Sequence, residues 1–359
     1  MTRLSSRNLW FTLPYVMFPT AGIVAALIFA SFSMPGRAQA PVRPAAIDFD
    51  RTQFATQQLA SNVFVLTGSP DTDPGHPEAA GGHVGVLVGR DGILMVDASY
   101  APLSDKIEAA IRKISPTPIR YLVNTHSHPD HTGGNPYFAK LGAIVLAREE
   151  TFQTLSEPAS APLAAAVGRA ASFTDPARLP VITFGKGAPV KIRFDDEVVD
   201  LIPMPAGHTN GDAMVRFEKA DVIMIGDCYR NYGYPFVDPS HGATIRGMLQ
   251  ALDAIQAVAG PDTRLVPGHG GIIKRADLAP YRAMILDIDA KVLAMIDQGK
   301  SRQEVLAARV TAAYDENVRG GLDPLPAGLG TSADRFVSTV YAELKGEKPP
   351  FPSPTGPGR

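Results

Sequence analysis

Three histidines and an aspartate fall within six consecutive positions of this chain. His126, His128, Asp130 and His131 stand in the stretch NTHSHPDHTGGN, residues 124–135. Neutral imidazole nitrogens and carboxylate oxygens are the usual ligands of zinc and of similar borderline metals. So many ligand types in so short a stretch predict a metal site rather than a histidine-rich surface loop.

The stretch begins where a strand is expected to end. Residues 119–123 are apolar apart from Arg120 and include β-branched and aromatic side chains, and this pattern is typical of a short buried strand. His126 and His128 are two positions apart, so both can point the same way while the chain is extended. Asp130 and His131 follow in the turn, from which they could reach a second metal.

Three later segments repeat the order of hydrophobic strand, glycine and ligand type. They place His208 in PAGHTNGD, Asp227 at the end of IMIGD and His269 in LVPGHGG. With the three histidines of the first stretch, five of the eight histidines in the chain stand in such a context. The repetition favours one shared metal centre.

Taken in order, these four motifs resemble those of the metallo-β-lactamase superfamily, from about residue 62 to about residue 271. The resemblance implies an α/β fold of four layers, an αββα sandwich, with extra helices at the C-terminal end. It also implies two metal ions, with Zn²⁺ expected and iron or manganese as alternatives. In the implied ligand set, the first ion is held by His126, His128 and His208, the second by Asp130, His131 and His269, and Asp227 bridges both.

The implied chemistry is hydrolysis. Two metals held close together share a water and lower its pKa, so that a metal-bound hydroxide can attack a polarised carbonyl. Asp130 would orient the water and then pass its proton to the leaving group. The expected enzyme is a dinuclear zinc hydrolase that cleaves a small ester, thioester, lactone or amide.

The adjacent residues Asp227 and Cys228 indicate which branch of the superfamily the chain resembles. Asp227 follows Gly226 at a strand end, as in the glyoxalase II and lactonase branch, whereas some β-lactamases use a thiolate at this corner. Cys228 would point the other way on an extended chain, so we expect a small packed residue there. A β-lactamase remains the alternative within the class, and an iron-dependent oxidoreductase of the same fold is the alternative outside it.

Further residues are expected around the ligands. Asp97 ends a strand and resembles the family's acid that hydrogen-bonds a metal-binding histidine, and Asp212 is a candidate support for the His208 loop. The segment after Asp227 is rich in aromatic residues, which would either line a substrate pocket or pack within a loop. Those residues are Tyr229, Tyr232, Tyr234 and Phe236.

The other histidines, His76, His83 and His241, have no ligand context. His76 and His241 lie in loops rich in proline and glycine, so we expect them to be solvent-exposed. The alanine-rich residues 162–171 would form either a lid over the site or a plain packed helix.

The N-terminal segment has the pattern of an export signal. Residues 1–40 contain a basic start, an apolar run over residues 9–34, and an A-x-A cleavage pattern that ends at Ala40. We expect cleavage there and a periplasmic or secreted protein, and the alternative is an inner-membrane anchor formed by residues 9–34. The sole cysteine allows no disulfide within the chain.

The remaining chain divides into a leader at residues 41–61, a catalytic domain at 62–275, C-terminal helices packed on it at 276–345, and a disordered tail at 346–359. A net charge of −2 over 359 residues gives no basic excess for binding nucleic acid. The expected partner is therefore a small-molecule substrate, with a membrane as partner only if the N-terminal segment stays uncleaved.

Overall fold

The computed structural model describes residues 47–157, 175–325 and 330–347, all of which lie in the compact unit Arg43–Arg359. The expected signal segment, the alanine-rich residues 162–171 and most of the expected tail lie outside the described residues. Within the described ranges, no helix is both long and apolar enough to cross a bilayer.

The first sheet has seven strands that follow one another in chain order. Strands β1 to β4 pair antiparallel, and β4 to β7 pair parallel. Strands β3 and β4 form a hairpin about Asp91-Gly92, a dipeptide that favours such turns, and Val88 pairs with Ile93 across it. The strands are β1 (Phe54–Gln58), β2 (Val63–Gly68), β3 (Val84–Val88), β4 (Ile93–Val96), β5 (Ile119–Val123), β6 (Ile144–Arg148) and β7 (Ile182–Phe184).

The second sheet has six strands in the order β13-β12-β11-β10-β9-β8. Its pairs are antiparallel except β11 with β12, which run parallel. The strands are β8 (Val190–Phe194), β9 (Glu197–Pro203), β10 (Ala213–Phe217), β11 (Val222–Gly226), β12 (Arg264–Pro267) and β13 (Ile273–Lys274).

Helices cover the outer faces of both sheets. Numbered over the described residues, they are α1 (Ser104–Ile114), α2 (Pro129–Thr132), α3 (Asn135–Lys140), α4 (Glu149–Ser156), α5 (Ile245–Val258), α6 (Leu278–Asp297), α7 (Arg302–Ala307) and α8 (Ser332–Lys345).

Three apolar clusters hold these layers together. One lies between the sheets and includes Val96 of the first sheet and Val215 of the second. A second joins the first sheet to α1, and a third joins the second sheet to α5, α6 and α8. The central strands β4 and β11 are buried along their whole length, as expected for layers covered on both sides. The αββα architecture expected from the motifs is therefore confirmed.

Two boundaries differ from the sequence expectation. The leader expected at residues 41–61 contains β1, which extends the first sheet along β2 from Phe54 to Gln58. Within the C-terminal helices expected over residues 276–345, the helix that begins at the Ser301–Glu304 capping box ends early, at Ala307. Arg309, with φ at 49°, breaks the helical path.

Candidate metal centre

All seven expected ligands lie at one edge of the two sheets, where neighbouring strands end. Because β4 and β5 are parallel, Asp97 and the histidine stretch emerge side by side; β11 and β12 likewise bring Asp227 next to His269. The connection from β9 to β10 brings His208 to the same edge. None of the seven side chains belongs to a residue that is more than 5% exposed.

Most of the histidine rings are fixed by an outer hydrogen bond. His128 uses Nε2 toward Asp238 at 3.0 Å, and His131 uses Nδ1 toward Asp97 at 2.8 Å. His208 Nδ1 lies 2.7 Å from the carbonyl oxygen of Phe236. Such outer partners fix the tautomer, so the opposite ring nitrogen carries a lone pair into the centre.

The first half of the centre is built by His126, His128 and His208. Nε2 of His208 lies 2.9 Å from Nδ1 of His128, and these three residues form a group whose ligand atoms lie within 4.8 Å of one another. Nε2 of His126 is buried without a hydrogen-bond partner in the described chain. A buried, unpartnered nitrogen aimed at two others is the arrangement that a cation would satisfy.

The second half is built by Asp130, His131 and His269. Nε2 of His269 lies 3.0 Å from Oδ2 of Asp130 and 3.4 Å from Nε2 of His131. With metal–nitrogen bonds of about 2.0–2.1 Å, tetrahedral ligands stand roughly 3.3 Å apart. The observed separations therefore fit ligands that share one ion.

Asp227 lies between the two halves. Its Oδ1 is 3.4 Å from Nε2 of His131, while Oδ2 is 3.5 Å from Nε2 of both His208 and His269. Oδ1 is buried and accepts no hydrogen bond from the described residues. A carboxylate that reaches both sets of ligands could bridge two cations, so the residues present fit a metal pair.

The electrostatics suit cation binding. Burial, followed by the charges of His131 and His208, holds the pKa of His126 well below its usual range; burial first lowers the pKa of His208 to about 3. Burial works against ionisation of Asp227, but the histidines around it prevail and hold its pKa well below the ordinary value. His126 and His208 are thus neutral imidazoles and Asp227 is an ionised carboxylate, the forms that ligate metals.

Asp97 ties this arrangement to the first sheet. Its carboxylate accepts hydrogen bonds from the backbone N–H and the hydroxyl of Thr125, both at 2.7 Å, besides holding His131. Asp97 adopts φ of 59°, which is costly for a residue with a side chain. These three hydrogen bonds at the base of the ligand stretch offset that cost.

Asp212 supports the loop that carries His208. The carboxylate accepts hydrogen bonds from the backbone N–H of Gly207, His208 and Thr209, the shortest at 2.6 Å. The Cys228 thiol also contacts Asp212, at 3.4 Å, and burial raises the pKa of that thiol well above its usual range. Cys228 is thus a packed, protonated side chain outside the ligand groups.

The structure corrects the expectation that His76 is exposed. Its ring stacks on that of His269 at 3.8 Å, Nε2 lies 3.3 Å from Asp130, and Nδ1 lies 3.1 Å from the buried Asp73. An imidazole lone pair lies in the ring plane, so two stacked rings cannot both aim at one ion. His76 is therefore a partner of Asp130, although His76, Asp130 and His269 also form a close group of ligand types.

The expectation that His241 is solvent-exposed is corrected in the same way, and the structure shows the surroundings of His83. His241 Nδ1 lies 2.8 Å from Asp238, whose carboxylate also holds His128. His83 is buried, and its Nδ1 lies 2.9 Å from the carbonyl oxygen of Pro267. Sequence reasoning missed Asp73 and Asp238, because only the folded chain brings those loops to the centre.

The tyrosines do not converge on the metals as a pocket would require. Tyr234 is fully buried, and its hydroxyl donates to Asp315 at 2.7 Å; that of Tyr232 donates to Asp323 at 2.6 Å. Tyr229 packs on Tyr281 with 4.4 Å between ring centroids. This segment packs against the C-terminal helices, so of the two alternatives for these tyrosines the structure favours packing over a pocket lining.

Phe236 is the aromatic residue of that segment that reaches the ligands. Its ring lies 5.8 Å from that of His128 and 5.3 Å from that of His208. The side chain therefore forms an apolar wall beside the first half of the centre.

Comparison with known proteins agrees with this fold and site. Residues 78–269 match the model of the metallo-beta-lactamase superfamily. The chain belongs to this superfamily, whose members are usually hydrolases.

Solved structures show the same fold. A metallo-beta-lactamase from Pontibacter korlensis aligns over 66% of this chain and 100% of its own, with 19% identity and a TM-score of 0.51. The stereoselective inverting sec-alkylsulfatase Pisa1 from Pseudomonas sp. aligns over 81% of this chain and 50% of its own, with 15% identity and a TM-score of 0.58. A double mutant of that sulfatase aligns over 83% of this chain and 51% of its own, with 14% identity and a TM-score of 0.61. This chain thus spans about half the length of the sulfatase.

Proposed function

We propose that this protein is a dinuclear zinc hydrolase that cleaves a small ester, thioester, lactone or amide. The observation that carries the proposal is the convergence of seven buried side chains, with Asp227 within 3.5 Å of ligand atoms from both halves. The first ion would be held by His126, His128 and His208, the second by Asp130, His131 and His269, and both by Asp227.

When bound, a pair of divalent cations lowers the pKa of a shared water and polarises a carbonyl. The chain's own residues supply the rest of the chemistry. Asp130 faces the centre with Oδ2, where it can orient a water and hold a proton for the leaving group. His76, held by Asp73, keeps that oxygen in place through its 3.3 Å contact.

We propose that the chain belongs to the glyoxalase II and lactonase-like branch rather than to the cysteine-ligand β-lactamases. Asp227 occupies the bridging corner, and the Cys228 side chain is turned toward Asp212. A thiol whose pKa is raised by burial and by that carboxylate is a poor source of the thiolate that a metal needs.

We also propose that the protein is exported and cleaved after Ala40. The basic start, the apolar run and the A-x-A pattern within residues 1–40 support this location. Intact-mass measurement on protein recovered from a periplasmic fraction should give a chain that begins at Pro41. A full-length chain recovered from the membrane fraction would favour an anchor.

A substrate panel with metal quantification on the same preparation tests the hydrolase proposal. It should include a lactone, a thioester, an aryl ester, a β-lactam and a secondary alkyl sulfate. We expect turnover of a carbonyl substrate with about two zinc ions per chain, abolished by a chelator and restored by Zn²⁺. Turnover of the β-lactam alone, of the sulfate alone, or with iron as the sole metal would contradict the proposal.

A further inference from the structure

The loop that carries His208 is held from outside by a buried arginine of the other sheet. Arg148 ends β6 in the first sheet, whereas the loop, residues 204–212, joins β9 to β10 in the second. Arg148 is only 1% exposed, although its side chain is permanently charged. Such a residue is costly to bury unless its N–H groups find acceptors.

The two ends of the loop meet at one nitrogen of Arg148. Its Nη1 donates to the carbonyl oxygen of Met204 at 2.8 Å and to that of Asp212 at 3.0 Å. The backbone N–H of Met204 also donates to the carbonyl oxygen of Asp212, at 2.9 Å. Nη2 lies 2.7 Å from Oε1 of Glu150, which fixes the direction of the guanidinium. Arg148 therefore closes the neck of the loop, the point where Met204 and Asp212 meet.

A second residue of the same segment contacts the loop just before its neck. Thr151 is fully buried on α4, and its hydroxyl donates to the carbonyl oxygen of Gly211 at 3.1 Å. A Cβ at Gly211 would stand 2.3 Å from that hydroxyl oxygen, so the loop backbone approaches α4 closely there. The junction of β6 and α4 thus holds three consecutive or paired carbonyl groups of the loop from the outside.

The first half of the centre depends on such a connection because its ligands come from different sheets. His126 and His128 follow β5 of the first sheet, whereas His208 lies between two strands of the second. Nε2 of His208 lies 2.9 Å from Nδ1 of His128. A shift of the loop by about 1 Å would spoil this spacing, since a site must hold its side chains to within about 0.5 Å.

We propose that Arg148 is a positioning residue for the first metal ion: it holds the neck of the His208 loop, so that the His208 ring stays aligned with the ligands of the first sheet. The guanidinium can serve both carbonyl groups and Glu150 at once because it presents several N–H donors in one plane. This inference rests on the metal centre of the proposed function, but not on the reaction catalysed there.

Hydrogen exchange in the metal-free full chain tests the positioning directly. We expect Arg148→Gln to speed exchange at least about tenfold in a peptide that covers residues 205–212. The reason is that the amide groups of Gly207, His208 and Thr209 keep their bonds to Asp212 only while the loop holds its shape. A peptide that covers residues 124–131 should stay within about threefold of the wild-type rate. Unchanged exchange in the loop would overturn the inference.

Zinc affinity distinguishes the two halves of the centre. His269→Ala leaves the first half intact, and His126→Ala leaves the second half intact. Added to His269→Ala, Arg148→Gln should weaken Zn²⁺ binding roughly 10- to 100-fold, as judged by competition with a chromogenic chelator. Added to His126→Ala, it should change Zn²⁺ binding less than about threefold. Equal weakening in both backgrounds would mean a general loss of structure and would also overturn the inference.

Arg264→Gln is the matched control. Arg264 begins β12, at the end of that strand away from His269, and its guanidinium likewise donates to two carbonyl oxygens, those of Leu59 and Ala220. Its loss should lower the melting temperature but leave loop exchange and Zn²⁺ binding unchanged.

Milder variants keep the test open if Arg148→Gln does not fold. Arg148→Lys keeps the charge without the fork, and Thr151→Val removes the contact with Gly211. Both should change loop exchange and first-half Zn²⁺ affinity in the same direction as Arg148→Gln, by smaller amounts. No change in either variant would count against the inference.

These readouts do not depend on turnover, so they separate this inference from the proposed function. Loop exchange and first-half affinity that respond as expected, in a protein that hydrolyses no member of the substrate panel, would keep Arg148 as a positioning residue and remove the hydrolase proposal. Hydrolysis by the zinc-loaded wild type, with loop exchange and Zn²⁺ affinity unchanged in Arg148→Gln, would do the reverse.

Discussion

His128, His131 and His208 each hold an outer partner with one ring nitrogen and present the other to the centre. The outer partners are an aspartate, a second aspartate and a backbone carbonyl. Because these partners already orient the rings, metal binding requires no further free energy to order the imidazoles. At the residue scale, the site is therefore preorganised by groups that are not themselves expected to be ligands.

Asp227 and Cys228 give a sharp contrast between adjacent residues. We expect Asp227→Ala to lose at least one of two zinc equivalents and at least about 100-fold in kcat/KM, since its oxygens face both halves of the centre. Cys228→Ala, the matched control, should keep two equivalents and most of the activity, because the thiol faces Asp212. Zinc content by mass spectrometry and ester kinetics decide; the opposite result would return this protein to the cysteine-ligand β-lactamases.

His76 is expected to act through Asp130. Replacement by alanine should lower kcat roughly 10- to 100-fold while KM and zinc content change little, because the stacked ring supports Asp130 without ligating the ion. Asp73→Asn should produce part of the same loss, since Asp73 holds the other ring nitrogen. Loss of a zinc equivalent in His76→Ala would instead make His76 a ligand.

At the scale of elements, the ends of parallel strands and two glycines make room for the ligands. A Cβ at Gly268, just after β12, would stand 1.9 Å from Oδ1 of Asp227; one at Gly82 would stand 2.4 Å from the His131 ring. Backbone therefore approaches the ligands where a side chain would collide with them.

Gly268→Ala tests this close approach. We expect the substitution to displace Asp227 and weaken zinc binding by at least tenfold, as judged by competition with a chelator. Gly185→Ala is the matched control, since a Cβ there meets nothing within 4 Å. Equal zinc affinity in both variants would show that the strand end tolerates a larger residue.

The strand-end motifs made most of this architecture predictable. Each expected ligand stands close behind an apolar strand, so the local pattern predicted that the seven side chains would lie at strand ends, where the structure brings them together. Their division between two ions came from the family resemblance and stays a prediction. His76 and Asp238 were not predictable, because their loops meet the ligands only through contacts distant in sequence, such as the hydrogen bond from Gly82 to Asp130. The sequence could not decide between pocket and packing for the tyrosines, because α8, onto which Tyr234 packs, follows about a hundred residues later.

For the whole molecule, the buried histidines link stability to pH. Burial is the largest cause that lowers the pKa of His83 and His269 to about 4 and of His208 to about 3, from 6.5, and His126 also shifts down. Below pH 6.5 these histidines therefore bind protons in the unfolded chain but stay neutral in the folded chain. The free energy of unfolding therefore decreases as the pH decreases. His76 and His131, whose pKa is raised by aspartates despite burial, act in the opposite direction.

Protein stripped of metal should accordingly lose thermal stability as pH falls from about 6.5 to about 4. Its melting temperature, followed by circular dichroism in buffers of matched ionic strength, should decline across that window and change less between pH 7 and 8. A melting temperature that rose toward pH 4 would mean that these histidines are not buried and neutral in the folded state.

The most direct measurement is the position and number of bound ions, from anomalous diffraction at the zinc edge on crystals of the zinc-loaded protein. We predict two peaks, one among His126, His128 and His208 and the other among Asp130, His131 and His269, with Asp227 in contact with both. A single peak among His128, Asp238 and His241, or none at this edge of the sheets, would contradict a two-metal reaction centre.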